Sequence, residues 1–124
     1  KGNTGENLLT LLERRLDSVL FGLGFSLSRR SARQLIAHGH IFVNGKRCDI
    51  TSRLMNPDDR IEISKRENIR KVATASYDQR SSYPMPTWLE RDGGNLNGRV
   101  ASLPSRSDVT FDVREQLVVE LMSK

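Results

Sequence analysis

The sequence predicts an α+β fold in which two helices lead into a β-hairpin and a further strand. Apolar residues recur every three or four positions over residues 4–22 and 28–38, which is typical of helices that bury one face. Between two short β-prone runs stands Asn44-Gly45, the strongest short-range signal of a hairpin. Residues 60–63 alternate polar and apolar side chains, as a half-buried strand does. A chain of 124 residues fits one compact domain, or a small domain with appended pieces.

The two helices have clear start and stop signals. Asn3 or Thr4 can cap the first helix, and Gly22 can end it. Ser28 is a good N-cap for the second helix, and Gly39 follows its last turn. We expect the second helix to bury Ala32, Leu35 and Ile36, and the first to expose a polar face of Glu13, Arg14, Arg15 and Asp17.

The register of the hairpin follows from its two-residue turn. Both central residues of such a turn need positive φ, which asparagine and glycine tolerate best. The turn places Val43 opposite Lys46 and Ile41 opposite Cys48 on one face, and Phe42 opposite Arg47 on the other. Although Phe42 could stack on a nucleobase, an aromatic residue in a strand is more often a packing residue, so we do not count it as a candidate for binding.

A turn and a short helix are predicted after the hairpin. The turn at residues 56–59 precedes the strand Arg60–Ile63. Residues 67–76 could form a short helix that buries Ile69, Val72 and Ala73.

The last third of the chain changes character. Residues 79–108 are rich in Ser, Gly, Pro and Asn, which predicts loops with one or two short strands, anchored by Trp88 as a packing residue. Asp112 and Glu115 stand in capping-box relation before apolar residues at helical spacing, which predicts a final helix. Residues 117–122 could also form a strand.

Basic residues are concentrated in one part of the chain. The net charge is +5, and residues 1–70 hold 13 Lys and Arg against 8 Asp and Glu, while residues 71–124 hold 7 of each. Between Ser26 and Arg53 lie six basic residues and, among acidic ones, only Asp49. This segment therefore favours a polyanionic partner.

The composition gives no support to several functional classes. No apolar run approaches the roughly 20 residues of a membrane span. Cys48 is the only cysteine, which excludes an internal disulfide and a Cys-rich zinc site within these residues, and His38 and His40 supply two metal ligands at most. Asp58 and Asp59 fall in a turn, where carboxylates serve local geometry. We therefore expect no enzymatic activity, no cofactor and no metal.

The start of the second helix carries charges of the unfavourable sign. Arg29 and Arg30 directly follow the N-cap, where the helix dipole is positive, at a cost of roughly 0.3–1 kcal/mol per charge. A bound phosphate would make both arginines favourable, because helix N-termini attract anions and the planar arginine fork binds phosphate with two hydrogen bonds. The alternative is a solvated face, which charge runs usually are. The candidate nucleic-acid-binding residues are Arg14, Arg15, Ser28, Arg29, Arg30, Arg33, Gln34, His38, His40, Asn44, Lys46, Arg47 and Arg53.

Residues 11–50 closely resemble the RNA-binding module of the small-subunit ribosomal protein S4 family. The resemblance rests on two helices that lead through His-Gly-His at residues 38–40 into Val-Asn-Gly-Lys at residues 43–46. It extends to KGNTGENLL at the start, PTWLERD in the loop region and VREQLVVELMSK at the end, and so covers nearly the whole chain.

The resemblance implies both a fold and a role. The helix pair would pack on a small, bent sheet, between a helical segment at residues 1–24 and a C-terminal helix at 112–124, with the RNA-binding module at 25–66 and a loop-rich connector at 67–111. The protein would bind and organise a multi-helix junction in the 5′ domain of small-subunit rRNA early in assembly. Other implied partners are neighbouring ribosomal proteins and the mRNA entry region, in a cytoplasmic or organellar ribosome.

The chain departs from the family in three places. The family's long basic N-terminal region, which sometimes holds a cysteine zinc site, has no counterpart among these residues, so zinc is not implied. Gly22 stands where a basic or aromatic residue is usual, and residues 56–59 read Asn-Pro-Asp-Asp instead of Lys-Pro-Gly-Asp. Two other functions remain open: the RNA-targeting module of an rRNA-modifying enzyme of the pseudouridine synthase type, and a free-standing RNA chaperone.

Overall fold

A computed structural model of the chain describes residues 10–80, 82–92 and 94–104. The helices are α1 over residues 10–14, α2 over Leu16–Gly22, α3 over Arg29–Ala37 and α4 over Glu67–Arg80. The strands are β1 over Ile41–Val43, β2 over Lys46–Arg47, β3 over Arg60–Ile63, β4 over Leu89–Asp92 and β5 over Asn97–Val100. They form an antiparallel sheet in the order β2-β1-β3-β5-β4. The α+β prediction is confirmed, while the predicted final helix from Asp112 and the first residues of the predicted helix at 4–22 lie outside the described residues.

The prediction of one unbroken helix up to Gly22 is wrong at Arg15. This residue is extended, with φ −63° and ψ 147°, and it forms an isolated β-bridge with Leu54. The Met55 N–H donates to the Arg14 carbonyl at 2.8 Å, and the Leu16 N–H donates to the Arg53 carbonyl at 2.8 Å. The first N–H groups of a helix have no partner within that helix. In α2 they donate instead to carbonyls of the chain that follows the hairpin, and these bonds stabilise the break.

Both ends of α3 follow their sequence signals. The Ser28 hydroxyl accepts a hydrogen bond from the Ser31 N–H at 3.0 Å, which confirms Ser28 as the N-cap. At the other end the His40 N–H donates to the Leu35 carbonyl at 3.1 Å and the Gly39 N–H to the Ile36 carbonyl at 3.0 Å. This is the Schellman pattern, and it requires the positive φ of +82° found at Gly39.

The hairpin has the predicted turn and register. Asn44 and Gly45 both have positive φ, 54° and 83°, and the register pairs Val43 with Lys46 and Phe42 with Arg47. The Cys48 N–H donates to the Ile41 carbonyl at 3.0 Å, in keeping with the predicted third pair. Asn44 also joins the hairpin to β3, because its side-chain oxygen accepts from the Arg60 N–H at 2.9 Å.

The buried apolar side chains of the described residues form one core between the helices and one face of the sheet. It contains Leu16 and Leu20 from α2, Ile36 from α3, and Ile41 and Ile61 from the sheet, all fully buried. Side chains from residues beyond 66 share it, among them Ala73, Trp88 and Val100. The division into four segments stays a prediction. The core contains side chains from both sides of the predicted boundaries after residues 24 and 66.

The loop-rich region contains the two strands that its composition allowed. β4 and β5 form a hairpin, and β5 pairs with β3, so that Gly98 lies opposite Ile61. Trp88 is 2% exposed, which confirms it as a packing residue. A residue with a Cβ at position 98 would lie 2.7 Å from a Leu23 methyl carbon, so the close approach of α2 to the sheet requires glycine there.

Helix α4 differs from its prediction in length and in its buried face. It continues to Arg80 instead of ending near Ser76. Ala73 is buried and Ile69 is partly buried, as expected, but Val72 is 53% exposed. Ser76 is buried instead of Val72. Its hydroxyl can lie on the buried side of the helix because it donates to the Gly24 carbonyl at 3.1 Å.

Candidate nucleic-acid interface

Asp17 is a buried carboxylate that holds two of the candidate arginines. Arg15 donates to it through Nε and Nη2, both at 3.1 Å, and Arg33 through Nη1 at 3.5 Å. The Ser18 N–H adds a fourth bond at 2.7 Å. The expectation that Asp17 lies on an exposed polar face is wrong, since its side chain is 2% exposed while those of Arg15 and Arg33 are 24% and 29% exposed. One negative charge thus fixes two guanidinium groups that still reach solvent.

Arg29 turns from the start of α3 toward α2. Its Nε donates to the Ser18 hydroxyl at 3.4 Å, and its guanidinium lies 4.7 Å from the centre of the Phe21 ring. Arg80, at the end of α4, lies 4.0 Å from the centre of the same ring and donates to the Ser26 carbonyl at 3.1 Å and to the Phe21 carbonyl. Burial, and then the positive charge of Arg29, lowers the pKa of Arg80 below its ordinary value. These contacts explain how the first turn of α3 tolerates Arg29 without any ligand.

Glu13 is a buried acid near this cluster. Its Oε2 is buried and has no hydrogen-bond partner among the described residues. Burial raises the pKa of Glu13 above its ordinary value, and the nearby Arg29 charge opposes that shift only in part. The Glu13 carboxyl is therefore more readily protonated in the fold than it would be in water.

Arg30, Gln34 and Lys46 keep their side-chain polar groups available. Each of the three is exposed, and none makes a side-chain hydrogen bond or ion pair with the described part of the chain. Arg30, Gln34 and His38 are spaced four residues apart, so they follow one another along the same side of α3. This row is the exposed polar side of α3.

A second basic group surrounds the corner between α3 and β1. The rings of His38 and His40 lie 6.3 Å apart, edge to face, and a Cβ at Gly39 would lie 3.4 Å from the Arg47 side chain. Burial lowers the pKa of His40 below its ordinary value, and the positive charges of Arg66, His38 and Arg47 lower it further. His40 therefore contributes to this corner as a neutral hydrogen-bonding group at neutral pH.

Three other candidates contact the turn at residues 56–59. The Asn44 side-chain nitrogen donates to Asp59 Oδ1 at 2.9 Å, and Arg53 lies 3.7 Å from Asp59 Oδ2. Arg14 donates to the Met55 carbonyl at 3.1 Å and to Asn56 Oδ1 at 2.8 Å. The turn carboxylates thus have the local role expected of them, and Asp58 additionally lies 2.6 Å from Arg99.

The fold brings to this region four further basic residues that were not among the candidates. Arg66 acts on His40, Lys65 precedes it, Arg80 lies on Phe21, and Arg91 lies 4.7 Å from the Tyr77 ring. Lys65-Arg66 could have been found, since the pair directly follows a strand predicted next to the hairpin. Arg80 and Arg91 gave no local signal, because helix α4 ends later than its pattern indicates and β4 lay in a predicted loop.

Neither a metal-binding cluster nor a membrane-spanning helix is found within the described ranges. No three His, Cys, Asp or Glu side chains in those ranges come together to hold a metal ion. Among the helices described there, none is long and apolar enough to cross a membrane.

Comparison with known proteins agrees with this architecture. Residues 14–61 match the model of the S4 domain family. Over all of its length the chain is 45% identical to the small ribosomal subunit protein uS4 of Acetivibrio thermocellus, and 51% identical to the proteins of the same name from Solibacter usitatus and Thermoanaerobacter sp.. It spans 60% of the length of the first two relatives and 59% of the third. The chain therefore contains an S4 domain at residues 14–61, and it is similar over its whole length to these small-subunit proteins.

Proposed function

We propose that the chain binds small-subunit ribosomal RNA as a structural, non-enzymatic constituent of the small ribosomal subunit. The observation that carries the proposal is that the chain's entire length, not only its S4 domain, is 45–51% identical to small-subunit ribosomal proteins. An RNA-targeting module borrowed by a modifying enzyme would share residues 14–61 and have no reason to share the rest. The whole-length similarity therefore favours the ribosomal role over the enzymatic alternative.

The basic groups of the interface suit a structured RNA. Arg30 and Lys46 are exposed and unpaired within the described residues, so they are ready to contact phosphate without losing a bond. Arg15 and Arg33 are oriented by Asp17, which lowers the entropy lost when a guanidinium is fixed on a phosphate. Phosphate contacts would provide most of the affinity, and Gln34 and the histidines would contact sugar or base edges.

The proposal extends to the place of the protein in the ribosome. We infer that it organises a multi-helix junction in the 5′ domain of the rRNA early in assembly, and that it later contacts neighbouring ribosomal proteins and the mRNA entry region. Its location would be the ribosome, in the cytoplasm or in an organelle.

The salt dependence of RNA binding tests the mechanism. With about five phosphate contacts, affinity for small-subunit rRNA should fall about a hundredfold or more between 50 mM and 200 mM salt. Arg30→Glu and Lys46→Glu should each weaken binding and make the salt dependence less steep, while Lys71→Glu, the same change of charge at an exposed position of α4, should not. Equal binding by all three variants and the unmodified chain would overturn the assignment of the interface.

The charge of Arg29 and Arg33 provides a less specific test. Reversing both should weaken RNA binding, but each side chain also has a partner within the fold, Ser18 for Arg29 and Asp17 for Arg33. The free energy of unfolding must therefore be measured on the same variant. The ribosomal role itself is tested by sedimentation: the protein should remain with small subunits washed in high salt, and recovery only as free protein would count against it.

A further inference from the structure

One row of side chains crosses the face of the sheet that points away from the core. Phe42 of β1 lies opposite Glu62 of β3, and Glu62 lies opposite Asn97 of β5. Residues directly opposite in antiparallel strands share a face, and Ile41, Val43, Ile61 and Ile63 occupy the core side. The row is therefore on the open side, where Phe42 is the single aromatic among polar neighbours.

A groove of about 790 Å³ opens along this row. Its lining includes Phe42, Glu62, Lys65, Arg70, Asn95 and Asn97. Arg70 holds the groove together, because it donates to the Ile63 carbonyl at 3.3 Å and to the Asn95 carbonyl at 3.0 Å, across two segments that are distant in sequence. Arg70 thus holds the end of β3 and the Asn95 segment together on either side of the groove.

The groups in the groove are the ones that recognise a nucleobase. Phe42 is partly exposed and carries the Arg47 guanidinium 5.6 Å from its ring centre, so a platform for stacking is present. Glu62 is exposed, and its carboxylate has no hydrogen-bond or ion-pair partner within the described residues. Lys65 supplies a positive charge at the rim for the attached phosphate.

We propose that this groove binds one unpaired nucleobase, stacked on Phe42, and that guanine is the base it fits best. The row holds two carboxylates: Asp92, opposite Asn97, is hydrogen-bonded to Asn95, whereas Glu62 is unpaired among the described residues. An unpaired carboxylate repels an RNA backbone, and it favours RNA binding where it accepts hydrogen bonds from a base. Guanine offers two adjacent donors, N1–H and the N2 amino group, to the two oxygens of Glu62, whereas uracil offers one. Asn97, whose amide is also unpaired within the described residues, lies beside Glu62 and can bond the rest of the base edge.

This inference rests on the proposed binding of rRNA and adds a site for a single-stranded nucleotide on a different face from α3. A protein partner is the alternative occupant. The surrounding charges favour RNA, because Arg47, Lys65 and Arg66 outnumber the two carboxylates of the row, Glu62 and Asp92. A polar face with one aromatic residue also offers a protein little apolar area to bury.

The test uses the full chain and short single-stranded RNAs. The probes are UUGUU, the same pentamer with inosine in place of guanosine, and UUUUU, each labelled for fluorescence anisotropy. The unmodified chain should bind the guanosine probe about fivefold to tenfold more tightly than the uridine probe, with inosine between them, since inosine keeps N1–H but lacks the amino group.

Variants assign the preference to the groove. Phe42→Leu should weaken binding of the guanosine probe about fivefold or more without changing the slope of affinity against salt, because stacking releases no counterion, while Phe42→Tyr keeps the platform. Glu62→Gln should abolish the preference for guanosine over uridine. The near-ultraviolet signal of buried Trp88 checks that each variant is folded.

The outcomes separate this inference from the proposed function. If the unmodified chain does not bind small-subunit rRNA, the proposed function fails. If it binds rRNA but shows no preference among the pentamers, or if Phe42→Leu binds them all as before, the groove assignment alone is overturned. Loss of a neighbouring ribosomal protein by Phe42→Leu, with RNA affinity unchanged, would show that the face is a protein interface instead.

Discussion

Replacing Asp17 with asparagine should destabilise the fold, although the two arginines that Asp17 binds are partly exposed. The carboxylate accepts two bonds from Arg15 at 3.1 Å, one from Arg33 at 3.5 Å and one from the Ser18 N–H at 2.7 Å. Asparagine keeps an oxygen for Ser18, but it loses the negative charge and the paired acceptors for Arg15. Charge-assisted bonds contribute about 1.5–3 kcal/mol each, so the loss of the two bonds from Arg15 would cost at most about 3–6 kcal/mol of unfolding free energy.

Solvation of the arginines reduces that upper limit. Both guanidinium groups belong to side chains that are at least 24% exposed, so they recover water when the carboxylate is lost. We expect about half of this upper limit, roughly 1.5–3 kcal/mol, which for a domain of this size lowers the midpoint of thermal unfolding by about 6–12 °C.

The assay is thermal and urea unfolding followed by circular dichroism. Asp49→Asn is the matched control, since Asp49 is exposed and makes no ion pair with the described residues. The reasoning is refuted if Asp17→Asn changes the free energy of unfolding by less than about 0.5 kcal/mol, the range expected of a surface substitution.

Three further predictions concern two glycines and a buried acid. Gly98→Ala should cost about 1–3 kcal/mol of unfolding free energy, because the alanine Cβ would lie 2.7 Å from Leu23 and 3.0 Å from the Glu90 carbonyl. Gly94→Ala is the control, since a Cβ there would lie 3.7 Å from Asp92 Oδ1, and equal effects of the two changes in urea unfolding would contradict the packing argument. Gly39→Ala should cost about 1–2 kcal/mol through its φ of +82°, and an unchanged urea midpoint would show that the corner relaxes. Glu13→Gln should raise the thermal midpoint at pH 7. Because burial raises the Glu13 pKa, the folded chain binds the carboxyl proton more tightly than the unfolded chain does, and the free energy of unfolding falls as pH rises above about 4.5. The gain should disappear near pH 4, and a gain of the same size at both pH values would exclude titration of Glu13 as its cause.

The sequence was most informative where structure depends on neighbouring residues. The hairpin register, the N-cap at Ser28 and the glycine at the end of α3 follow from turn and cap chemistry, which acts over a few residues. The break at Arg15 could not be predicted in the same way, because the apolar spacing continues through it. Its cause is the chain around Arg53, 38 positions away, whose carbonyl bonds the Leu16 N–H.

In the candidate interface, too, local features could be predicted and contacts between distant residues could not. The concentration of basic residues was visible from composition, but their roles depend on tertiary partners that the sequence does not display. Arg29 and Arg30 were both expected to bind phosphate at the start of α3, yet Arg29 contacts α2 through Ser18, whereas Arg30 remains exposed. Arg33, another candidate, is held by Asp17 of α2. Asp17 looked like a surface charge because most helical aspartates are.

The break before α2 also brings together the two ends of a stretch of chain. Arg14 and Leu16 are hydrogen-bonded to Met55 and Arg53, so the polypeptide enters the helix pair and leaves the hairpin at one place. A unit whose ends adjoin can be joined to other domains, or inserted into one, with little strain on the host. The residues between these ends account for most of the match to the S4 domain family, at 14–61, so the hydrogen bonds on either side of Arg15 hold the two ends of the matched segment side by side.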